Sequence, residues 1–136
     1  MDRQEAIENL LDHYERPRNR GALDDADVTL PGGNPGCGDV VTIYLKLDQA
    51  GERVEKVTFE GQGCTISQAA ASMLTEMVEG RPLSTIDDMD FNDMIDHLGR
   101  EVVSSRPRCA TLALGTLKAA VTKYRTDKVR AELEQP

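Results

Sequence analysis

The run Asp39-Val-Val-Thr-Ile-Tyr-Leu-Lys-Leu47 alternates without a break. Val41, Ile43, Leu45 and Leu47 fall on one side and Thr42, Tyr44 and Lys46 on the other, the period of a half-buried strand. Asp48-Gln-Ala-Gly51 supplies a hairpin turn, and residues 53–60 return as a second strand with Val57 and Phe59 on one face. Residues 21–38 read as a loop broken by Pro31, Gly32, Gly33, Pro35, Gly36 and Gly38, with a third strand expected near Val28.

Helices flank this hairpin. Ile7, Leu10, Leu11 and Tyr14 share one face of a helix over residues 2–15, with Asp2 as N-cap, Glu5 three residues on, and Pro17 beyond its end. The strongest helical pattern covers residues 65–79, where Ile66, Ala69, Ala70, Met73, Leu74, Met77 and Val78 repeat at helical spacing up to Gly80. Residues 83–89 read as a connector. Residues 90–98 read as a short helix capped by Asp90, and residues 108–125 as the last main helix, after which a charged tail is expected to fray. With no repeat and no linker, residues 1–136 are expected to form one domain around an aliphatic core, since Tyr and Phe total five and Trp is absent.

Charge and composition exclude several roles. Net charge is −8, and from Gly21 to Gly99 fifteen acids face four bases, a poor match to a phosphate backbone. From Arg100 onward eight bases face four acids, which reads as a solvated helix face. No apolar run is long enough to span a bilayer. The first residues lack the plan of a secretory signal, so a cytoplasmic, reducing location is expected, without nucleic-acid or membrane partners.

Three cysteines then carry the chemistry. Cys37 lies in Gly-Gly-Asn-Pro-Gly-Cys-Gly-Asp, Cys64 in Gly-Gln-Gly-Cys-Thr-Ile-Ser, and Cys109 in Arg-Pro-Arg-Cys-Ala-Thr-Leu-Ala. Flanks of Gly, Pro and Arg suggest accessible sulfurs at element ends. Side chains two apart in extended chain point the same way, so Cys37 and Asp39 can converge on one point. Cys64 and Cys109 each open a helix, where free amides favour thiolate, and Arg106 and Arg108 are expected to add to that at Cys109. Three thiolates and a carboxylate suit tetrahedral zinc, or hold an iron–sulfur cluster more loosely than four thiolates would. Without a Cys-x-x-Cys pair the spacing also admits three unrelated cysteines. A cysteine enzyme lacks a nearby histidine base, because His13 and His97 lie outside the cysteine segments and read as surface or satisfied core residues.

Four segments resemble one family, in its order: His13-Tyr-Glu-Arg-Pro-Arg-Asn-Arg-Gly21, Asn34-Pro-Gly-Cys-Gly-Asp39, Phe59-Glu-Gly-Gln-Gly-Cys64-Thr-Ile-Ser67 and Arg108-Cys109-Ala-Thr-Leu-Ala113. They are similar to the IscU/SufU iron–sulfur cluster assembly proteins, including the N-terminal part of NifU. The resemblance implies an α+β fold, with a small antiparallel sheet of three strands packed by helices and the cysteines clustered at one end. It implies Cys37, Asp39, Cys64 and Cys109 as ligands of Zn2+ or of iron in a [2Fe–2S] cluster. It also implies persulfide sulfur taken from a cysteine desulfurase; the glycine-flanked loop makes Cys37 the expected first acceptor, with Cys109, beside two arginines, as the alternative. The cluster would pass to apo-proteins or carriers, from a monomer acting as scaffold and sulfur carrier rather than enzyme. Gly-Cys-Thr-Ile-Ser, Arg108 before the third cysteine, and Val103-Ser-Ser-Arg-Pro107 in place of a chaperone motif look SufU-like, whereas the short interval from Cys64 to Cys109 looks IscU-like. A zinc-bound SufU-type sulfur acceptor, which activates the desulfurase without building a cluster, is the alternative role. A structural zinc protein is a further reading.

Overall fold

The structure is a computed structural model, and it describes residues 2–34 and 38–134. The elements run α1 (Arg3–Glu15), β1 (Val28–Gly33), β2 (Val40–Leu47), β3 (Val54–Gln62), α2 (Thr65–Val78), α3 (Leu83–Asp88), α4 (Phe91–Leu98), α5 (Arg100–Val103) and α6 (Pro107–Leu133). The three strands form one antiparallel sheet in the order β1-β2-β3, so the fold is α+β as the motifs implied. Ile43 stands opposite Leu30 on one side and Phe59 on the other. Burial follows the predicted alternation: Val41, Ile43, Leu45 and Leu47 are buried, and Thr42, Tyr44 and Lys46 are half-exposed. Helices α2 and α6 pack against each other and against the sheet, and Phe59, Ile43, Leu45, Leu74, Leu114 and Leu117 are fully buried between them.

Three local readings need correction. The third strand is longer than expected and runs through Pro31, Gly32 and Gly33, which read as breakers. Proline is tolerated because β1 is an edge strand. Gly32 is there for closeness, since a Cβ would lie 2.0 Å from Thr116 Oγ1 on α6. Residues 83–88 are helical rather than a bare connector, and bury Leu83 and Ile86. The charged tail does not fray after residue 125: α6 continues to Leu133 through good helix formers, with Lys123 bonded to Asp127 at 2.7 Å and Arg125 forked onto Asp87 at 2.8 Å. Among the described residues, no helix is long and apolar enough to cross a membrane.

The first helix is fastened by polar groups as well as apolar ones. His13 is buried and its Nδ1 lies 2.8 Å from Ser72 Oγ on α2. That hydroxyl also accepts the Arg18 backbone N–H at 2.8 Å. The Nε2 edge then faces Glu76 at 3.5 Å. His97 is exposed, so both histidines stand where expected. Burial, with the Arg18 charge beside it, holds His13 below its ordinary pKa. An unfolded chain therefore takes up the proton first as pH falls. This stabilisation is intact above pH about 6.5 and is lost below it. Urea midpoints at about pH 7.5 and 5.5 are expected to fall further in the wild type than in His13→Gln; equal losses would contradict the assignment.

Candidate metal centre

Three elements end at one place. Asp39 immediately precedes β2, Cys64 is the N-cap of α2, and Cys109 is the third residue of α6, whose first residue is Pro107. Proline suits that first position because its fixed φ is helical and its missing N–H has no partner there anyway. Asp39 is 2% exposed and sits between the cysteines. Its Oδ1 accepts the Cys64 backbone N–H at 2.8 Å, and its Oδ2 lies 2.8 Å from Cys109 Sγ and 3.9 Å from Cys64 Sγ. One donor atom from each of the three lies within 4.8 Å of the others. Gly63 makes the approach possible: at φ +148° its Cβ would fall 2.2 Å from Asp39 Oδ1.

The two described thiols differ sharply. Burial pushes the Cys64 thiol up, but the Ser67 backbone N–H, the Cys109 thiol and the Ser67 hydroxyl outweigh it and hold Cys64 below its ordinary value. The Ser67 amide does this without a full capping hydrogen bond. Cys109 moves the other way, to about 12, through burial, its hydrogen bond to the Asp39 carboxylate and its contact with Cys64. This corrects two expectations. The Cys109 sulfur is not accessible, being 4% exposed, and the exposed Arg106 and Arg108 do not make it a thiolate. Its surroundings are set by a carboxylate 70 residues away rather than by its neighbours. Burial opposes ionisation of Asp39 too, yet hydrogen bonds from Cys109, the Cys64 amide, Ser67 and Asn34 keep its carboxyl below the usual range.

Known proteins place this arrangement. The NifU-like N terminal domain family matches residues 5–131. The chain belongs to that family. The iron–sulfur cluster assembly scaffold protein IscU of Aquifex aeolicus is 36% identical over 92% of this chain and 79% of its own. The zinc-dependent sulfurtransferase SufU of Bacillus subtilis is 35% identical over 84% of this chain and 87% of its own. A crystal structure described as a SUF-system scaffold from Fervidobacterium islandicum, at 28% identity, superposes with a TM-score of 0.70 over 84% of this chain and 94% of that one.

Within this NifU-like domain the donors fit a metal. Zinc–sulfur and zinc–oxygen bonds of about 2.3 and 2.0 Å in a tetrahedron set its donors roughly 3.5–3.8 Å apart. A set already within 4.8 Å closes on an ion by small side-chain rotations. Soft thiolates with one harder carboxylate suit zinc and iron alike. Of the four predicted ligands, Asp39, Cys64 and Cys109 come together; Cys37 lies outside the described residues. Sequence reading missed Asn34, whose Nδ2 bonds the Arg108 carbonyl, and Ser67, 1% exposed, whose hydroxyl donates to the Cys64 carbonyl at 3.1 Å. A serine three residues past the helix-opening cysteine was the available signal for Ser67. Asn34 opens one of the four quoted segments, but its contact is long-range and nothing local points to it.

Proposed function

We propose that residues 1–136 act as one scaffold domain for iron–sulfur cluster assembly, with Cys37, Asp39, Cys64 and Cys109 as the site that receives iron and sulfur. The observation that carries this reading is the convergence of a buried carboxylate and two thiols drawn from three separate elements. In the sulfur step, an acceptor thiolate attacks the outer sulfur of a cysteine desulfurase persulfide. The donor S–S bond breaks and the desulfurase cysteine leaves as thiolate. Cys37 is the proposed acceptor ahead of Cys109, which is buried and protonated at neutral pH. As metal replaces the Cys109 proton, that proton leaves to solvent, and Asp39 Oδ2, 2.8 Å from the sulfur, faces the same ion. The assembled cluster, the domain's cargo, then passes to apo-proteins or carriers. The proposed place of work is the reducing cytoplasm.

A second reading, a zinc-holding sulfur acceptor of the SufU kind, is favoured by Arg108 immediately before the third cysteine, with the three described donors within reach of one ion. Protein purified without oxygen separates the two: iron with acid-labile sulfide supports the scaffold, and zinc without sulfide supports the relay. After anaerobic reconstitution with iron, cysteine and a desulfurase, Asp39→Ala is expected to hold its cluster several-fold longer than wild type, because a carboxylate leaves a soft metal more readily than a thiolate. An unchanged cluster half-life would remove Asp39 as the labile ligand.

A further inference from the structure

We propose that Asn34 is the positioning residue of this centre, joining by hydrogen bonds the two backbone segments that present Asp39 and Cys109. The proposal rests on the reading of Asp39, Cys64 and Cys109 as metal donors. Asn34 directly follows β1, outside the donor set. Its backbone N–H donates to the Asp39 carbonyl at 3.1 Å, and its side-chain Nδ2 donates to the Arg108 carbonyl at 3.2 Å. The Arg108 carbonyl belongs to the same planar peptide as the Cys109 N–H, so the second bond grips the unit from which the Cys109 side chain departs.

One residue therefore ties the chain at Asp39 to the chain at Cys109, in parallel with the 2.8 Å contact between their side chains. The side-chain orientation is unambiguous: a carbonyl can only accept, so the amide nitrogen must face it. A helical carbonyl keeps a second lone pair after bonding within the helix, and the Asn34 amide takes that free position at the mouth of α6. Little else is served by the contact. The approach of β1 to α6 is already secured further along by Gly32 against Thr116. What the Asn34 bonds add is a fixed separation between the two donors before an ion arrives. Groups of this kind, which touch the ligand-bearing segments and not the metal, typically change metal affinity 10–100-fold when removed.

The test compares full-length wild type, Asn34→Ala, Asn34→Asp and Cys64→Ala as metal-free protein loaded with zinc or cobalt(II). Asn34→Ala is expected to weaken zinc by roughly 10–100-fold in chelator competition and to alter the cobalt d–d spectrum. Its metal-free melting temperature should stay close to wild type. Asn34→Asp has the same shape but presents an acceptor to the Arg108 carbonyl and a second carboxylate beside Asp39, so it should bind more weakly than Asn34→Ala. Wild-type affinity in Asn34→Asp would mean that Asn34 only fills space, and the proposal falls. A lowered melting temperature with unchanged zinc affinity and cobalt spectrum in Asn34→Ala overturns it equally. Cys64→Ala separates the underlying reading: if it binds zinc like wild type, the metal is not held by these donors, and Asn34 has no centre to position.

Discussion

Gly63→Ala is expected to lose zinc affinity by at least about 100-fold and to lower stability by roughly 2–4 kcal/mol. Two effects add. The backbone at Gly63 has φ +148°, which an L side chain rarely adopts and which costs about 1–3 kcal/mol when forced. The new methyl group would also fall 2.2 Å from Asp39 Oδ1 and 3.0 Å from Asp39 Cα, the second of which cannot rotate away. The carboxylate must move, and with it the bond from Oδ1 to the Cys64 N–H. This differs from Asp39→Ala, which removes one proposed ligand and leaves the thiols in place. Gly63→Ala displaces Asp39 and Cys64 together. Chelator competition and thermal melting check it, and a variant binding zinc within about threefold of wild type, under roughly 0.7 kcal/mol, refutes the account.

Ser72→Ala is expected to cost roughly 2–5 kcal/mol although its hydroxyl bonds none of Asp39, Cys64 and Cys109. The Ser72 hydroxyl is fully buried and serves two partners, His13 Nδ1 and the Arg18 N–H. Truncation leaves both without a bond, and each orphaned buried group costs about 1–3 kcal/mol. In a domain whose whole stability is about 5–15 kcal/mol, that is enough to free α1 and the 16–21 turn from α2. Urea denaturation gives the difference directly. Adding His13→Ala to Ser72→Ala should cost less than the two single changes summed, because the shared bond is lost only once. A loss under about 0.5 kcal/mol, the size of an ordinary surface change, would show that the turn is held by other contacts.

How much of this could be read beforehand depended on range. Alternation in residues 41–47 and the helical repeat from Ile66 to Val78 are local, and both elements formed where those patterns lie. Cys64 and Cys109 were placed at helix starts from their flanking Gly, Pro and Arg, and they stand there. The failures around the site are of longer reach. The Cys109 thiol looked activated because its neighbours are arginines, yet the group that governs it is Asp39. Gly32 looked like a breaker because Thr116, against which it packs, is far along the chain. Ser72 has no local signal of its role, because its partners lie 54 and 59 residues away. Local pattern specifies an element and one face of it, whereas the polar contacts between elements depend on a register that no local pattern encodes.

Asp39 stands 25 residues from Cys64 and 70 from Cys109 along the chain. An ion held by all three is thus a removable cross-link that closes two long chain loops at once, as a disulfide does in oxidised proteins. Its binding energy is folding energy: at a free metal concentration a hundred times the Kd, the native state gains about 2.7 kcal/mol. Loading therefore tightens this end of the molecule and delivery slackens it. A recipient that removes the cargo leaves behind a looser chain, so the empty and the filled protein present different surfaces to whatever must tell them apart.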